Sequence, residues 1–358
     1  MPPLDLTASS VDLTRTICDI PSVSGEEVAL ADLIDAAIRP QSHLEVYRDG
    51  DTIVARTQLG HSQRVVIAGH IDTVPINGNV PTRDVDVDGE AFLWGRGTVD
   101  MKAGVAVQLK LAAELSDPRI DITWMWYDHE EVDNDLNGLT RLARTRPDLF
   151  RGDFAILGEP SNGAVEGGCN GNMRAIVRTH GVRAHSARAW VGENAIHKAA
   201  PVLTRLAEYR PRDVAVDGLV YREGLNAVRI GGGVAGNVIP DLSEVEVNYR
   251  FAPSRSAEAA ERHVRDVFAG FDVEVVDIAV GARPGLDAPL AQEFVAAVGG
   301  EARPKYGWTD VARFSAMGVP AVNYGPGDPH LAHHDDERVP LAQIEDVERG
   351  LRAWLTTP

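Results

Sequence analysis

The chain has 358 residues, 44% of them hydrophobic and 25% charged, with 53 acidic against 35 basic side chains and a formal net charge of −18. That length exceeds one simple core and fits two domains, and the acidic balance argues against nucleic acid as a partner, because phosphate binding needs basic surface. No apolar run is long enough to span a membrane, the opening MPPLDLTASS lacks the features of a secretory signal, and two cysteines build no disulfide framework, so a cytoplasmic protein with reduced Cys18 and Cys169 is expected.

The first periodic segments, SSVDLTRTICDI and GEEVALADLIDAAI, have helical spacing, each with Ser or Gly placed as a cap. QRVVIAG (63–69) is a β-branched run and predicts a buried strand. A helix is expected over 101–115, and strands over 121–127 and 152–157. Strands alternating with helices predict an α/β sheet covered on both faces. From about residue 172 the order changes to strand (172–181), helix (NAIHKAAPVLTRLAEY), two strands (226–234 and 244–252), helix (256–269) and strand (271–280). That β-α-β-β-α-β order is the ferredoxin-like arrangement. It divides the chain into a first domain of 1–171 and 282–358, and an inserted α+β domain of 172–281. The insert carries fourteen basic and fourteen acidic residues, so the whole net charge lies outside it. The α/β pattern then resumes with strand PAVNYG and a helix over 343–355.

Polar clusters recur where apolar strands stop. GHIDTVP places His70 and Asp72 two residues apart, on one face of an extended chain. A carboxylate beside a histidine is how a metal-binding imidazole is oriented. Taken alone, the same pair reads equally well as a solvated turn. GRGTVDMKAG holds Asp100 just before a helix, and LGEPSN holds Glu159 just after a strand. YDHEEVDN sets Glu130 beside Glu131, a pair that repels unless water or a cation screens it. Far downstream, HLAHHDDERV carries His330, His333 and His334. In open α/β sheets ligands bind beyond the carboxyl ends of the strands. A His and carboxylate set without cysteine suits a catalytic rather than a structural metal. A phosphate-binding G-x-x-x-x-G-K-[ST] and a serine-hydrolase G-x-S-x-G are both absent.

Together GHIDTVP, GRGTVDMKAG, DHEEV, LGEPS, GVRAHSA with GENAI, GNVIP and AHHDDE resemble, in order from residue 69 to 337, the di-zinc amidohydrolases and exopeptidases of the M20 type. The resemblance implies a zinc-exopeptidase-like mixed sheet flanked by helices, with the insert serving as lid and dimerisation domain. It also implies two Zn2+ per chain, with Co2+ or Mn2+ as substitutes. His70, Asp100 and Glu159 would hold one ion; Asp100, Glu131 and His333 would hold the other, Asp100 bridging. Glu130 would act as general base, Asp72 beside His70 would complete the catalytic set, and His185 would serve the oxyanion of a neighbouring subunit across a homodimer. Family members commonly carry an acidic residue where this chain has His129.

The substrate class implied is a small dicarboxylate N-acyl amino acid. Arg250, among the apolar residues of strand EVEVNYRFA, and Asn237 match family substrate contacts, and Arg178 is a further arginine of the insert. YGWTDVARF, with Gly307 and Thr309, partly matches the pocket segment of the family's desuccinylases. Those desuccinylases, of lysine and cell-wall precursor synthesis, are the members the chain looks most like. The alternatives are an acetylornithine deacetylase, a dipeptidase or a carboxypeptidase.

Overall fold

A computed structural model describes residues 3–357, and the chain divides into two compact units. The first comprises Met1–Gly167, Gly285–Arg303 and Arg313–Pro358. Its centre is a mixed sheet whose strands lie in the order Glu45–Asp49, Thr52–Arg56, Asp121–Tyr127, Arg64–His70, Phe154–Leu157, Ala321–Asn323, Glu166–Gly167 and Arg303–Pro304. The four strands from Asp121–Tyr127 to Ala321–Asn323 run parallel to one another. Every residue of Asp121–Tyr127 is buried, as a strand covered on both faces requires.

Helix Ser10–Cys18 starts at Ser9, whose hydroxyl accepts the Asp12 amide at 3.0 Å. Helix Val28–Ile38 starts at Glu27 without any side-chain cap. In helix Lys102–Glu114, ten of thirteen residues are buried, so it is an interior helix, apolar nearly all round. It packs so close to the turn after Phe154–Leu157 that a Cβ on Gly104 would meet the Gly158 carbonyl at 2.3 Å. Only glycine permits that approach, and it sets the start of the helix beside the loop carrying Glu159. A small sheet joins Arg83–Val87, Glu90–Trp94 and Arg338–Pro340, which returns the segment holding His333 to the loop holding Asp100. Helix Leu341–Thr356 ends the unit. Among the described residues no helix is long and apolar enough to cross a membrane.

The second unit comprises Gly168–Pro284 and Pro304–Ala312, so the stretch 304–312, assigned to the first domain on sequence, clusters with the insert. Its antiparallel sheet has the order Gly224–Gly232, Leu242–Phe251, Gly171–His180, Asp272–Ala279. Alternate residues of the two central strands are buried, and they share a core with Val202 and with Ala260 and Val264 of helix Ala257–Val267. The single helix expected over 194–209 is two, Ala195–Lys198 and Ala200–Glu208. Pro201 sits at the start of the second, where its missing N–H costs nothing.

Candidate metal centre

Three adjacent parallel strands end at the site. His70 pairs in register with Tyr127, and Ala68 pairs with Leu157, so the chain beyond each strand leaves the sheet at one level. His70 is 1% exposed. Its Nδ1 donates to the Asp72 carbonyl at 3.1 Å. In a neutral ring this leaves Nε2 as the lone-pair nitrogen, and Nε2 lies 3.0 Å from Oδ1 of Asp100. Two electron-rich atoms facing each other need a proton or a cation between them.

The other oxygen of Asp100, Oδ2, lies 3.3 Å from Nε2 of His333. That nitrogen is also 3.0 Å from Oε1 of Glu131. Ligand atoms of His70, Asp100 and Glu131 all fall within 4.8 Å of one another. Asp100 follows an unusual turn: its amide and that of Val99 both donate to Oε1 of buried Glu337, at 3.0 and 2.9 Å, and the Asp100–Met101 peptide is cis. Arg96 neutralises Glu337 from the other side at 2.8 Å. Glu159 is buried just past strand Phe154–Leu157.

The side-by-side glutamates are aimed by a turn. His129 adopts φ +58°, a backbone conformation disfavoured for a side-chain-bearing residue. Four contacts hold it there. The His129 amide donates to Oε1 of Glu27 at 3.2 Å, and its Nδ1 lies 2.8 Å from Oδ2 of Asp128. The next two amides, Glu130 and Glu131, donate to the two oxygens of Asp72 at 3.0 and 3.1 Å. Ser24 gives Asp72 a further hydrogen bond at 2.6 Å. Behind the turn, buried Asp128 accepts from Thr52 and from both terminal nitrogens of Arg141, at 2.8 and 3.2 Å.

Electrostatics show the same cation demand. Burial would hold His70 neutral, yet hydrogen bonds with Asp100 and Asp72 raise it well above its ordinary value. His333 is raised to about 10 by Asp100 and then Glu131. Burial would raise Asp100, but His333 and His70 hold its carboxyl far below the usual range. Burial, then the charge of Asp100, pushes Glu131 up. Protons thus collect where carboxylates converge, and the mix of imidazole and carboxylate donors without thiolate is that of a catalytic metal site.

In the second unit, His185 pairs with Val238 on a short antiparallel bridge and is exposed. The Ala187 amide donates to its Nδ1 at 3.0 Å, which leaves the proton of a neutral ring on Nε2. Arg250 is half-buried, and its Nε donates to Oδ1 of Asn248 at 3.1 Å. Burial lowers its pKa, as expected of a guanidinium that pairs with no carboxylate among the described residues. Arg178 is different: Glu244 and Glu274 on the flanking strands engage it at 2.8 and 2.5 Å. Asn237 is exposed, and its carbonyl accepts the Ser186 amide at 2.8 Å. Gly307 is exposed, while Thr309 is buried.

Sequence reasoning missed Ser24, Glu27, Glu337 and Arg141. The one signal available was the carboxylate closing HHDDE, which is Glu337.

Residues 66–357 match the profile of peptidase family M20/M25/M40. A Corynebacterium glutamicum protein named succinyl-diaminopimelate desuccinylase is 46% identical over 366 aligned residues, covering 99% of this chain and 98% of its own. A Mycobacterium tuberculosis protein carrying the same name provisionally, as DapE, is 54% identical over 355 residues, 98% of this chain and 99% of its own. Among solved structures, a tripeptidase from Staphylococcus aureus superposes with a TM-score of 0.78 at 20% identity, covering 99% of this chain and 98% of that one. The strand-end histidine and carboxylates, the sheet that carries them and these full-length likenesses have one reading: the chain belongs to peptidase family M20/M25/M40.

Proposed function

We propose that this chain is a zinc-dependent succinyl-diaminopimelate desuccinylase, which hydrolyses the amide of N-succinyl-LL-2,6-diaminopimelate to succinate and LL-diaminopimelate in the cytoplasm. The observation that carries the metal reading is Asp100, with one carboxylate oxygen toward His70 and the other toward His333. A bridging carboxylate has that form. The substrate assignment rests on the full-length relatives named for this activity.

His70, Asp100 and Glu159 would hold one zinc ion, and Asp100, Glu131 and His333 the other. When bound, the pair supplies Lewis acidity to the scissile carbonyl and to the attacking water. The Glu130 carboxylate takes a proton from that water and returns it to the leaving amine nitrogen. Asp72 orients His70 and, through both oxygens, holds the backbone of Glu130 and Glu131. His185 of a second copy in a homodimer donates Nε2–H to the developing oxyanion. Arg250 captures the substrate's free carboxylate as a planar fork, with Asn237, Gly307 and Thr309 as neighbouring contacts. Arg178 is left out, because its own glutamates engage it.

The test is a side-by-side assay of zinc-loaded protein on N-succinyl-LL-diaminopimelate, N-acetylornithine and a dipeptide. Succinate release should exceed the other two reactions by about a hundredfold or more in kcat/KM, and a chelator should abolish it. Equal or faster turnover of acetylornithine would replace the desuccinylase reading with a deacetylase.

A further inference from the structure

At the opposite ends of the same strands, the first unit has a solvent-open cavity of about 650 Å³. Phe150 and Val319 form its apolar floor, and Arg56, Arg64 and Arg151 line it with a single carboxylate, Asp153. Three arginines lining one cavity in a chain of net charge −18 are unexpected.

The carboxylates nearby are already engaged. Asp153 accepts the Arg64 amide at 2.9 Å, Asp148 is paired with Arg146 at 2.8 Å, and Asp121 accepts the Thr57 hydroxyl and the amides of Leu59, Gly60 and His61. Arg64 donates to the carbonyls of Ile122 and Thr57 and keeps a looser contact of 3.6 Å with Asp121. Burial, then the charge of Arg56, pushes Arg64 down, so the two cations repel. Arg56 is half-buried, its Nε is inaccessible to water and lacks any hydrogen-bond partner, and among the described residues no carboxylate pairs with it or with Arg151. A buried N–H without a partner is costly, and the planar fork of an arginine is matched by an oxyanion.

We propose that this cavity binds a small doubly charged oxyanion, a phosphate or a dicarboxylate, through Arg56, Arg151 and Arg64, as an effector site separate from the metal centre. Strand Arg64–His70 connects the two directly, and six residues of extended chain set them about 20 Å apart.

The test uses the zinc-loaded enzyme with inorganic phosphate and, separately, succinate, read by calorimetry and by the rise in melting temperature. One saturable site per chain should appear outside the metal centre. Arg56→Gln and Arg151→Gln should each raise its Kd about tenfold or more, while hydrolysis without the anion keeps its kcat/KM. Hydrogen exchange should slow at 61–64 and 147–153 on binding. Binding of phosphate alone assigns the site to phosphate compounds, and binding of succinate alone assigns it to dicarboxylates. If both variants bind as the parent does, or neither anion binds below about 10 mM, the proposal fails.

Discussion

Replacing Arg141 by Met removes the cation behind the turn that carries Glu130 and Glu131 and leaves its partner, Asp128, in place. Asp128 is 3% exposed at its side chain, and Arg141 supplies two of the hydrogen bonds to it. Stranding a buried carboxylate costs about 3–5 kcal/mol where nothing compensates. Here Thr52 and His129 still donate, and Arg141 is 32% exposed, so water can refill part of its place. The expected loss is therefore about 2–3 kcal/mol at pH 7. Asp128→Asn removes the charge and should cost less, about 1–2 kcal/mol. Because the two groups act as a pair, the double variant should fall short of the sum by about 1.5 kcal/mol. Urea unfolding followed by tryptophan fluorescence measures all three, since Trp124 and Trp126 are buried in the strand that leads to Asp128. The pH dependence has a definite sign. Burial would raise Asp128, but Arg141 and Thr52 hold it below the ordinary aspartate value. A depressed carboxyl contributes stability that is complete above about pH 4 and is lost as pH falls through the folded value. The gap between parent and Arg141→Met should thus be full at pH 7 and shrink in acid as Asp128 takes up a proton, first in the variant and then in the parent. An Arg141→Met variant within about 0.5 kcal/mol of the parent at pH 7, or a gap that widens in acid, would refute this account of the turn.

Glu130→Gln should keep the bound metal and lose turnover by about a hundredfold or more, because the proton acceptor is gone while the ligands stay. Glu131→Gln should instead lower metal content by elemental analysis; indistinguishable variants would undo the separate roles. His185→Ala and Glu130→Ala dimers should each be nearly inactive, yet regain activity when unfolded and refolded together, since one site of every hybrid carries neither lesion. No recovery on mixing would place His185 in service of its own subunit.

Strand Asp121–Tyr127 was readable to the residue, because a strand buried on both faces is a near-continuous apolar run, broken here only by Asp121 and Thr123. Helix Lys102–Glu114 came within a residue at each end for a similar reason. Strand Glu45–Asp49 was not seen: it lies at the sheet edge, no residue in it is fully buried, and its sequence alternates weakly. The hairpin Arg83–Val87 and Glu90–Trp94 was missed as well: apart from Leu93 its residues are exposed or half-buried. Pro201 did carry a helix-break signal that the continuous apolar spacing around it concealed. At the site, His70 and Glu131 stood out as polar residues after apolar strands, Asp100 as one before a helix and His333 as part of a histidine cluster, and the structure brings the four together. Their supports did not. Ser24 reaches Asp72 across 48 residues, and Glu337 reaches Asp100 across 237, separations at which nothing local marks a partner. The turn that aims Glu130 depends on a left-handed histidine, where sequence leads one to expect glycine or asparagine.

The 202 residues between Glu131 and His333 also have a meaning in time. At about 5–20 residues per second, a ribosome needs roughly 10–40 s to pass from one to the other. Through that interval the emerging chain presents His70, Asp100 and Glu131, with neither His333 nor the Glu337 clamp yet made. Full chelation therefore arrives only with the last part of the fold. It follows that a metal ion would be captured firmly by the finished chain and only weakly by the nascent one.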